Sequence, residues 1–160
     1  MTVENSSHSQ GSFEIVSATW RDLNALRSLE KICFPKDAWP LFDLIGVLTL
    51  PAVLRLKAVV DERMVGFLGA DVRSSQDLAW IATIGVLPEY RNQGIGSALI
   101  RAAEEQLDVS RIRLSVRASN ETAIRLYMHL GYKKVGVWSG YYQDGENAWV
   151  MEKQVGGEAG

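Results

Sequence analysis

The chain has 160 residues, and 17 Lys and Arg stand against 19 Asp and Glu for a formal charge of −2, which leaves no basic excess for coating a phosphate backbone. With 47% apolar residues, 22% charged residues and only four Pro, it reads as one globular domain able to bury a core, and disordered and fibrous classes drop out. The longest charge-free stretches, 44–54 and 78–88, run about eleven residues where a spanning helix needs roughly twenty. Two distant histidines and the single Cys33 provide neither zinc spacing nor an internal disulfide. The start, MTVENSSHSQGS, is polar and lacks a basic stretch leading into an apolar one, so no secretory signal is visible. These features lead us to expect a cytoplasmic protein with no metal, membrane span or nucleic-acid partner.

The expected domain covers 12–154, between flexible tails at 1–11 and 155–160. SFEIV is a short strand. Thr19 then precedes an amphipathic helix in which Leu23, Leu26, Leu29 and Ile32 recur every three residues, ended by Pro35. An apolar helix is expected over 39–48, stopping before Pro51. VLRLKAVV and MVGFLGADV form a hairpin around Asp61, Glu62 and Arg63. The uncharged run LAWIATIGVL is expected to be the central strand, covered on both faces. A long helix starts near Gly94, with Ile95, Ala98, Leu99, Ala102, Gln106 and Leu107 along one stripe and Arg101, Glu104 and Glu105 facing away. IRLSV is a strand. The next helix aligns Ala123, Ile124, Tyr127 and Leu130 and is closed by Gly131, and YKKVGVW and NAWVMEK complete the pattern as strands. The whole is an α/β layered sheet with helices on both faces.

Chemistry concentrates where the apolar run meets the long helix, at Arg91-Asn92-Gln93-Gly94-Ile95-Gly96-Ser97. A strand, a glycine-bearing loop and a helix start point backbone N–H groups at an anion, and the helix dipole adds favourable charge. The dinucleotide fingerprint would need a third glycine where Leu99 stands, and the P-loop Gly-Lys-Ser/Thr is absent. The loop therefore reads as a phosphate cradle outside the ATP and NAD classes, or simply as two glycines opening a helix. Downstream come R-A-S-N at 117–120, A-I-R-L-Y ending at Tyr127, L-G-Y at 130–132 and G-Y-Y-Q-D-G-E at 140–146.

Together these segments resemble the GCN5-related N-acetyltransferase (GNAT) superfamily, whose pyrophosphate loop reads Arg/Gln-x-x-Gly-x-Gly/Ala, and within it the branch of RimI and the catalytic subunits of protein N-terminal acetyltransferases. The likeness is specific over 80–153 and only topological before it, where Cys33-Phe34-Pro35 stands where relatives often carry Phe-Pro. The resemblance implies a single mixed, mostly antiparallel α/β sheet with a splayed pair of parallel strands at the cofactor site. It implies direct transfer of an acetyl group from acetyl-CoA to a primary amine, a protein or peptide N-terminus above all, with no covalent enzyme intermediate. The backbone of Ile84, Gly85 and Val86 would bind pantetheine and the acetyl carbonyl, with the Val86 N–H supporting the carbonyl oxygen. Residues Arg91, Asn92, Gln93, Gly94, Ile95, Gly96 and Ser97 would hold the pyrophosphate, Asn120 would reach the pantetheine arm, and Tyr127 would protonate or order the departing sulfur. Phe34 and Pro35 on one side, and Tyr141 and Tyr142 on the other, would wall the acceptor groove.

Each residue has a plainer reading beside this one: core packing for Ile84, Val86 and Tyr127, an N-cap for Asn120, a surface arginine for Arg91 and a hairpin pair for the tyrosines. The departure from the family lies in the general base. Relatives place Glu or His in the strand before V-R-A-S-N, or Tyr on the central strand, where this chain has Ser115 and Trp80. A water chain, or a carboxylate such as Asp71, Asp144 or Glu146, is left to take the proton. An α-amine, with a reference pKa of about 7.7 to 8.0, needs that help less than a lysine near 10.4. Six basic residues against Glu121 between Arg111 and Lys134 either attract CoA phosphates or are simply exposed faces. Acetylation of a small-molecule amine and CoA binding without catalysis remain alternatives, and the oligomeric state, a homodimer included, stays open.

Overall fold

The computed structural model describes residues 12–156, so the expected tail at 1–11 and all but Val155 and Gly156 of the one expected at 155–160 lie outside the described residues, and Val155 packs against the core with its N–H donating to Ser110 at 2.9 Å. In chain order the elements are β1 (Glu14–Ser17), α1 (Leu23–Cys33), α2 (Leu41–Thr49), β2 (Val53–Val60), β3 (Arg63–Arg73), β4 (Leu78–Val86), α3 (Ile95–Gln106), β5 (Arg111–Arg117), α4 (Glu121–His129), β6 (Lys133–Trp138) and β7 (Ala148–Gln154). They form one seven-stranded sheet in the order β1-β2-β3-β4-β5-β7-β6, with β4 at its middle, as its uncharged sequence requires. Every pair is antiparallel except β4–β5.

Three glycines show how the helices are layered on the sheet. A Cβ on Gly69 would lie 2.9 Å from Val47 of α2, and one on Gly85 would lie 3.2 Å from Cys33 of α1. One on Gly66 would lie 3.2 Å from Ile95 and Leu99 of α3. Alternation along β3 puts Gly66 and Gly69 on opposite faces, so α1 and α2 cover one face and α3 the other. The core accordingly joins Leu26 and Leu29 of α1, Phe67 and Leu68 of β3, and Leu99, Ile100 and Ala103 of α3.

Helix α1 follows a 3-10 turn at Trp20–Asp22 whose capping box pairs the Thr19 side chain with Asp22. Its expected stripe is corrected at one end, because Leu26 and Leu29 are 0% and 2% exposed whereas Ile32 is 51% exposed. A repeat of three falls short of 3.6 and rotates the stripe by about 60° per step, so Ile32 ends opposite Leu23. Glu30, one turn beyond Leu26, takes the buried slot instead. In α3 Ile95, Leu99, Ile100 and Ala103 are buried and Gln106, the last residue of the helix, is exposed, while Glu104 is half-buried rather than facing away.

Glu30 is 1% exposed. Its Oε2 accepts a 2.6 Å bond from the Thr83 hydroxyl on β4, and its Oε1 has no partner among the described residues. Burial raises its pKa above the ordinary 4.5, so its contribution to stability is full below that value and is lost as pH rises through the raised one. Glu30→Gln keeps an acceptor for Thr83 without a charge. It is expected to be the more stable form near neutral pH by about 1 kcal/mol, an advantage that vanishes as the pH falls toward about 4.5. Urea melts of both proteins at two pH values check this, and a pH-independent difference contradicts it.

Candidate active site

Parallel pairing between β4 and β5 runs only from Leu78 with Arg111 to Ile81 with Leu114. The register of β4 against β3 shifts between Gly69 and Ala70, which leaves Ala82 as an extra, exposed residue. Past this bulge β4 stays with β3 while β5 stays with β7, so 82–86 and 115–117 diverge. This is the expected splay, and it corrects the expectation that β4 is covered throughout: Ile84, Gly85 and Val86 are only half-buried because the neighbouring strand has left them.

The Leu87 N–H donates to Val65 of β3 at 2.8 Å. Antiparallel alternation then turns the backbone groups of Thr83 and Gly85 toward β3, and those of Ile84 and Val86 into the gap. The Val86 carbonyl is met there by Arg91 Nε at 2.8 Å and by Cys33 Sγ at 3.4 Å. Gly85 is a correction: its polar groups face β3, and it is small because Leu29 and Cys33 of α1 press on it. Cys33, distant in sequence from the loop, is beside it in space. Burial pushes its thiol above the usual value, so it is a protonated donor rather than a nucleophile.

At the end of β4 the chain turns through Asn92 at φ 63° and Gly94 at φ 83° into α3. Both conformations are left-handed, and Gly94 caps the helix without a side chain. The first helix N–H to find a carbonyl is that of Ala98, on Gly94. Those of Ile95, Gly96 and Ser97 are therefore free for a ligand, as at any helix start. A Cβ at Gly94 would meet nothing within 4 Å, so the cradle opens outward, with room for a phosphate. A Cβ at Gly96 would face Leu126 of α4 at 3.6 Å and Val86 at 4.0 Å. Helix α4 is thus the far wall of the gap. Arg91, Asn92 and Gln93 are exposed, and the Nε of Arg91 is already engaged.

Asn120 is the N-cap of α4, its side chain accepting from the Ala123 N–H at 3.2 Å, as the plainer reading has it. Tyr127 is buried on that helix, edge-on to Tyr132 at 6.4 Å between centroids. No described residue hydrogen-bonds its phenol. Burial, aided by the nearby Tyr142, pushes that phenol up to about 12, so it stays protonated through the neutral range. Tyr132 is held by Glu104 at 2.9 Å, and Glu104 by Lys153 at 3.0 Å, which fixes the ring Tyr127 leans on.

Tyr141 and Tyr142, expected to wall an acceptor groove, stand at the end of an aromatic row. Trp80 stacks on Trp138 at 5.5 Å, Trp138 meets Tyr141 at 5.0 Å, and Tyr141 meets Tyr142 at 5.0 Å. Tyr141 is exposed, and Tyr142 is half-buried with its phenol against the Ser115 hydroxyl. Phe34 is half-buried and Pro35 exposed on the loop between α1 and α2. Arg117 joins that loop to the β6–β7 hairpin. It binds Asp37 through Nε and Nη2 at 2.9 Å each, and Asp144 and Glu146 through Nη1 at 3.0 and 2.7 Å.

Of the carboxylates available as a base, Asp144 and Glu146 are held below the usual range by hydrogen bonds, Arg117 among the donors. Asp71 pairs with Arg73 at 3.1 Å on an exposed edge. Asp144 and Glu146 are therefore weaker bases than a free carboxylate. The local basic excess is also mostly absorbed: Arg111 and Arg113 pair with Glu152, Arg117 with three acids, and Lys134 lies 4.0 Å over Trp149. Arg117 and Trp138 are the neighbours of these candidate residues that the sequence does not single out. The position of Arg117 in R-A-S-N, with acids following at 144 and 146, was the available signal for the first.

Comparison with known proteins agrees with this geometry. The family described as Acetyltransferase (GNAT) family matches residues 20–132. An N-alpha-acetyltransferase of Saccharolobus solfataricus is 29% identical over 157 residues, covering 89% of this chain and 93% of that protein. The N-terminal acetyltransferase A complex catalytic subunit NAA10 of Arabidopsis thaliana is 32% identical over 148 residues, covering 88% and 77%. The crystal structure of the ribosomal-protein-S18-alanine N-acetyltransferase from Escherichia coli superposes with a TM-score of 0.84 at 29% identity, over 93% of this chain and 97% of that one.

Proposed function

Because this chain belongs to the GNAT acetyltransferase family, we propose that it moves the acetyl group of acetyl-CoA to the α-amine of a protein or peptide N-terminus, by direct attack in a ternary complex. The observation that carries the reading is the β4 edge at Ile84 and Val86, left without a partner strand by the splay directly ahead of the open helix end at Gly94 and opposite the Tyr127 helix. Acetyl-CoA supplies an activated thioester. The N–H groups of Ile95, Gly96 and Ser97, with the free guanidinium nitrogens of Arg91 and the nearby Asn92 and Gln93, hold its pyrophosphate. The Ile84 backbone binds its arm as a strand would, the Val86 carbonyl being taken by Arg91 and Cys33, and the Asn120 amide, whose oxygen caps α4, is left with its nitrogen to donate to the same arm.

The Val86 N–H lies where negative charge grows on the carbonyl oxygen, and it stabilises that charge without reorganising. Tyr127 donates a hydrogen bond to the sulfur as it leaves. A phenol near 12 holds its proton until charge develops, so it acts late, by stabilising the thiolate. With Asp71, Asp144 and Glu146 all engaged by arginines, the amine must bring much of its own reactivity. That favours an α-amine of pKa about 7.7 to 8.0 over a lysine near 10.4. Phe34, Pro35, Tyr141 and Tyr142 are the walls that present it.

The test is CoA release, with product mass, from purified protein given acetyl-CoA and a panel of N-terminal peptides, N-blocked lysine peptides, polyamines and aminoglycosides. Turnover of the free N-terminal peptides is expected. Turnover confined to polyamines or aminoglycosides would replace the acceptor class, and tight CoA binding without turnover of anything would contradict the proposed catalysis.

A further inference from the structure

Arg117 is the point at which the two walls of the acceptor groove meet. Its guanidinium is bidentate to Asp37, on the loop between α1 and α2, at 2.9 Å on both oxygens, across 80 residues of sequence. The same group binds Asp144 and Glu146 on the β6–β7 hairpin and lies 4.1 Å over the ring of Tyr142. Glu146 in turn accepts from the Ser119 N–H at 2.7 Å, which ties the hairpin to the start of α4. The Arg117 side chain is 17% exposed, so these bonds are only partly competed for by water.

Among the described residues the loop and the hairpin share no backbone hydrogen bond. Their other ionic link, Lys36 to Asp144, spans 3.9 Å between exposed side chains and is worth little. The distance between Phe34 and Tyr142 is therefore set by one planar fork. Lysine has no such fork and cannot hold three carboxylates in that plane.

Resting on the acetyl-transfer reading above, we propose that Arg117 is a positioning residue for the acceptor: by locking loop to hairpin and seating Tyr142, it fixes the width of the groove through which the amine reaches the thioester. It touches neither the cofactor cradle nor the β4 edge. Its loss therefore acts on acceptor binding and selectivity, and leaves acetyl-CoA binding intact. A widened groove also admits a lysine side chain beside a chain terminus.

The experiment compares wild type, Arg117→Met, Asp37→Asn and the double variant by steady-state kinetics with the acceptor peptide that wild type turns over best. Arg117→Met should raise the acceptor KM by about tenfold or more, with the KM for acetyl-CoA held within roughly twofold and kcat falling less than KM rises. Asp37→Asn should give a smaller rise of the same kind, and the double variant should match Arg117→Met because both changes break one bridge. The ratio of lysine to α-amine acetylation should increase in each. An unchanged acceptor KM, an equal rise in both KM values, or additive effects would overturn the proposal. Asp37→Asn, which leaves Arg117 two carboxylates, carries the test if Arg117→Met does not fold. Failure of the functional reading is distinguishable, since wild type would then prefer another amine. The same KM split would be read with that amine.

Discussion

Tyr127→Phe is expected to lower kcat by about a hundredfold while leaving the KM for acetyl-CoA within roughly twofold, because it removes one hydroxyl and no packing. The ring remains edge-on to Tyr132 and buried within the core, so the fold is kept. The missing O–H leaves the departing sulfur without a donor in a place from which water is largely excluded. Steady-state rates with saturating acetyl-CoA, alongside the CoA-induced rise in Tm, separate the two effects. An unchanged kcat would remove Tyr127 from the chemistry.

The phenol also has a pH signature. Its value rises from 10 to about 12 on folding, so its contribution to stability is complete below pH 10 and is lost between 10 and about 12. Wild type should therefore lose stability relative to Tyr127→Phe only on that alkaline side. Below it the rate of wild type should follow ionisation of the acceptor amine and not of Tyr127.

The second large effect is at the cradle. Gly94→Val should abolish CoA binding, for two reasons that act together. The residue sits at φ 83°, where a β-branched side chain is strained. Its Cβ would project into the open space before the free N–H groups of α3, the place proposed above for the pyrophosphate. Ligand at a hundred times its Kd stabilises a protein by about 2.7 kcal/mol, so loss of the CoA-induced shift in Tm is an easy readout. Retained stabilisation would place the phosphates elsewhere. Gly96→Ala should weaken binding more gently, since it is inside the helix and its Cβ would make ordinary contact with Leu126.

What the sequence disclosed and what it hid follow from the range of the interactions involved. The strand–turn–helix junction that the cradle reading rests on was legible because it is local: an uncharged strand, an arginine, two glycines and a helix within about fifteen residues are enough to define it. The centrality of β4 was legible from the same uncharged run, and the N-cap at Asn120 and the left-handed Gly131 from turn chemistry. The splay was expected only through family resemblance. Its physical origin, the extra residue Ala82, has no mark in the sequence. The groove was half legible. Its tyrosines were named, but the row through Trp138 and Trp80 crosses four strands of the sheet, and the contacts of Cys33 with Val86 and of Arg117 with Asp37 span 53 and 80 residues. Where the strict repeat of three placed Ile32 inside, helical geometry placed Glu30 instead, and a buried carboxylate of raised pKa escaped notice.

The missing base gains a physical setting from the same contacts. Ser115 faces Tyr142, Trp80 faces Trp138, and the carboxylates that remain are spent on Arg73 and Arg117. On the reading proposed above, such a site would rely on the amine's own pKa, and its selectivity would follow from that reliance together with the width of the groove.

The most direct measurement uses one peptide with a free N-terminus and an internal lysine, incubated with acetyl-CoA and the purified protein and then fragmented by tandem mass spectrometry to locate the added acetyl group. The account predicts a single acetyl group on the α-nitrogen, with the lysine untouched. Acetylation of the lysine alone, or of neither amine while CoA is bound, would contradict it.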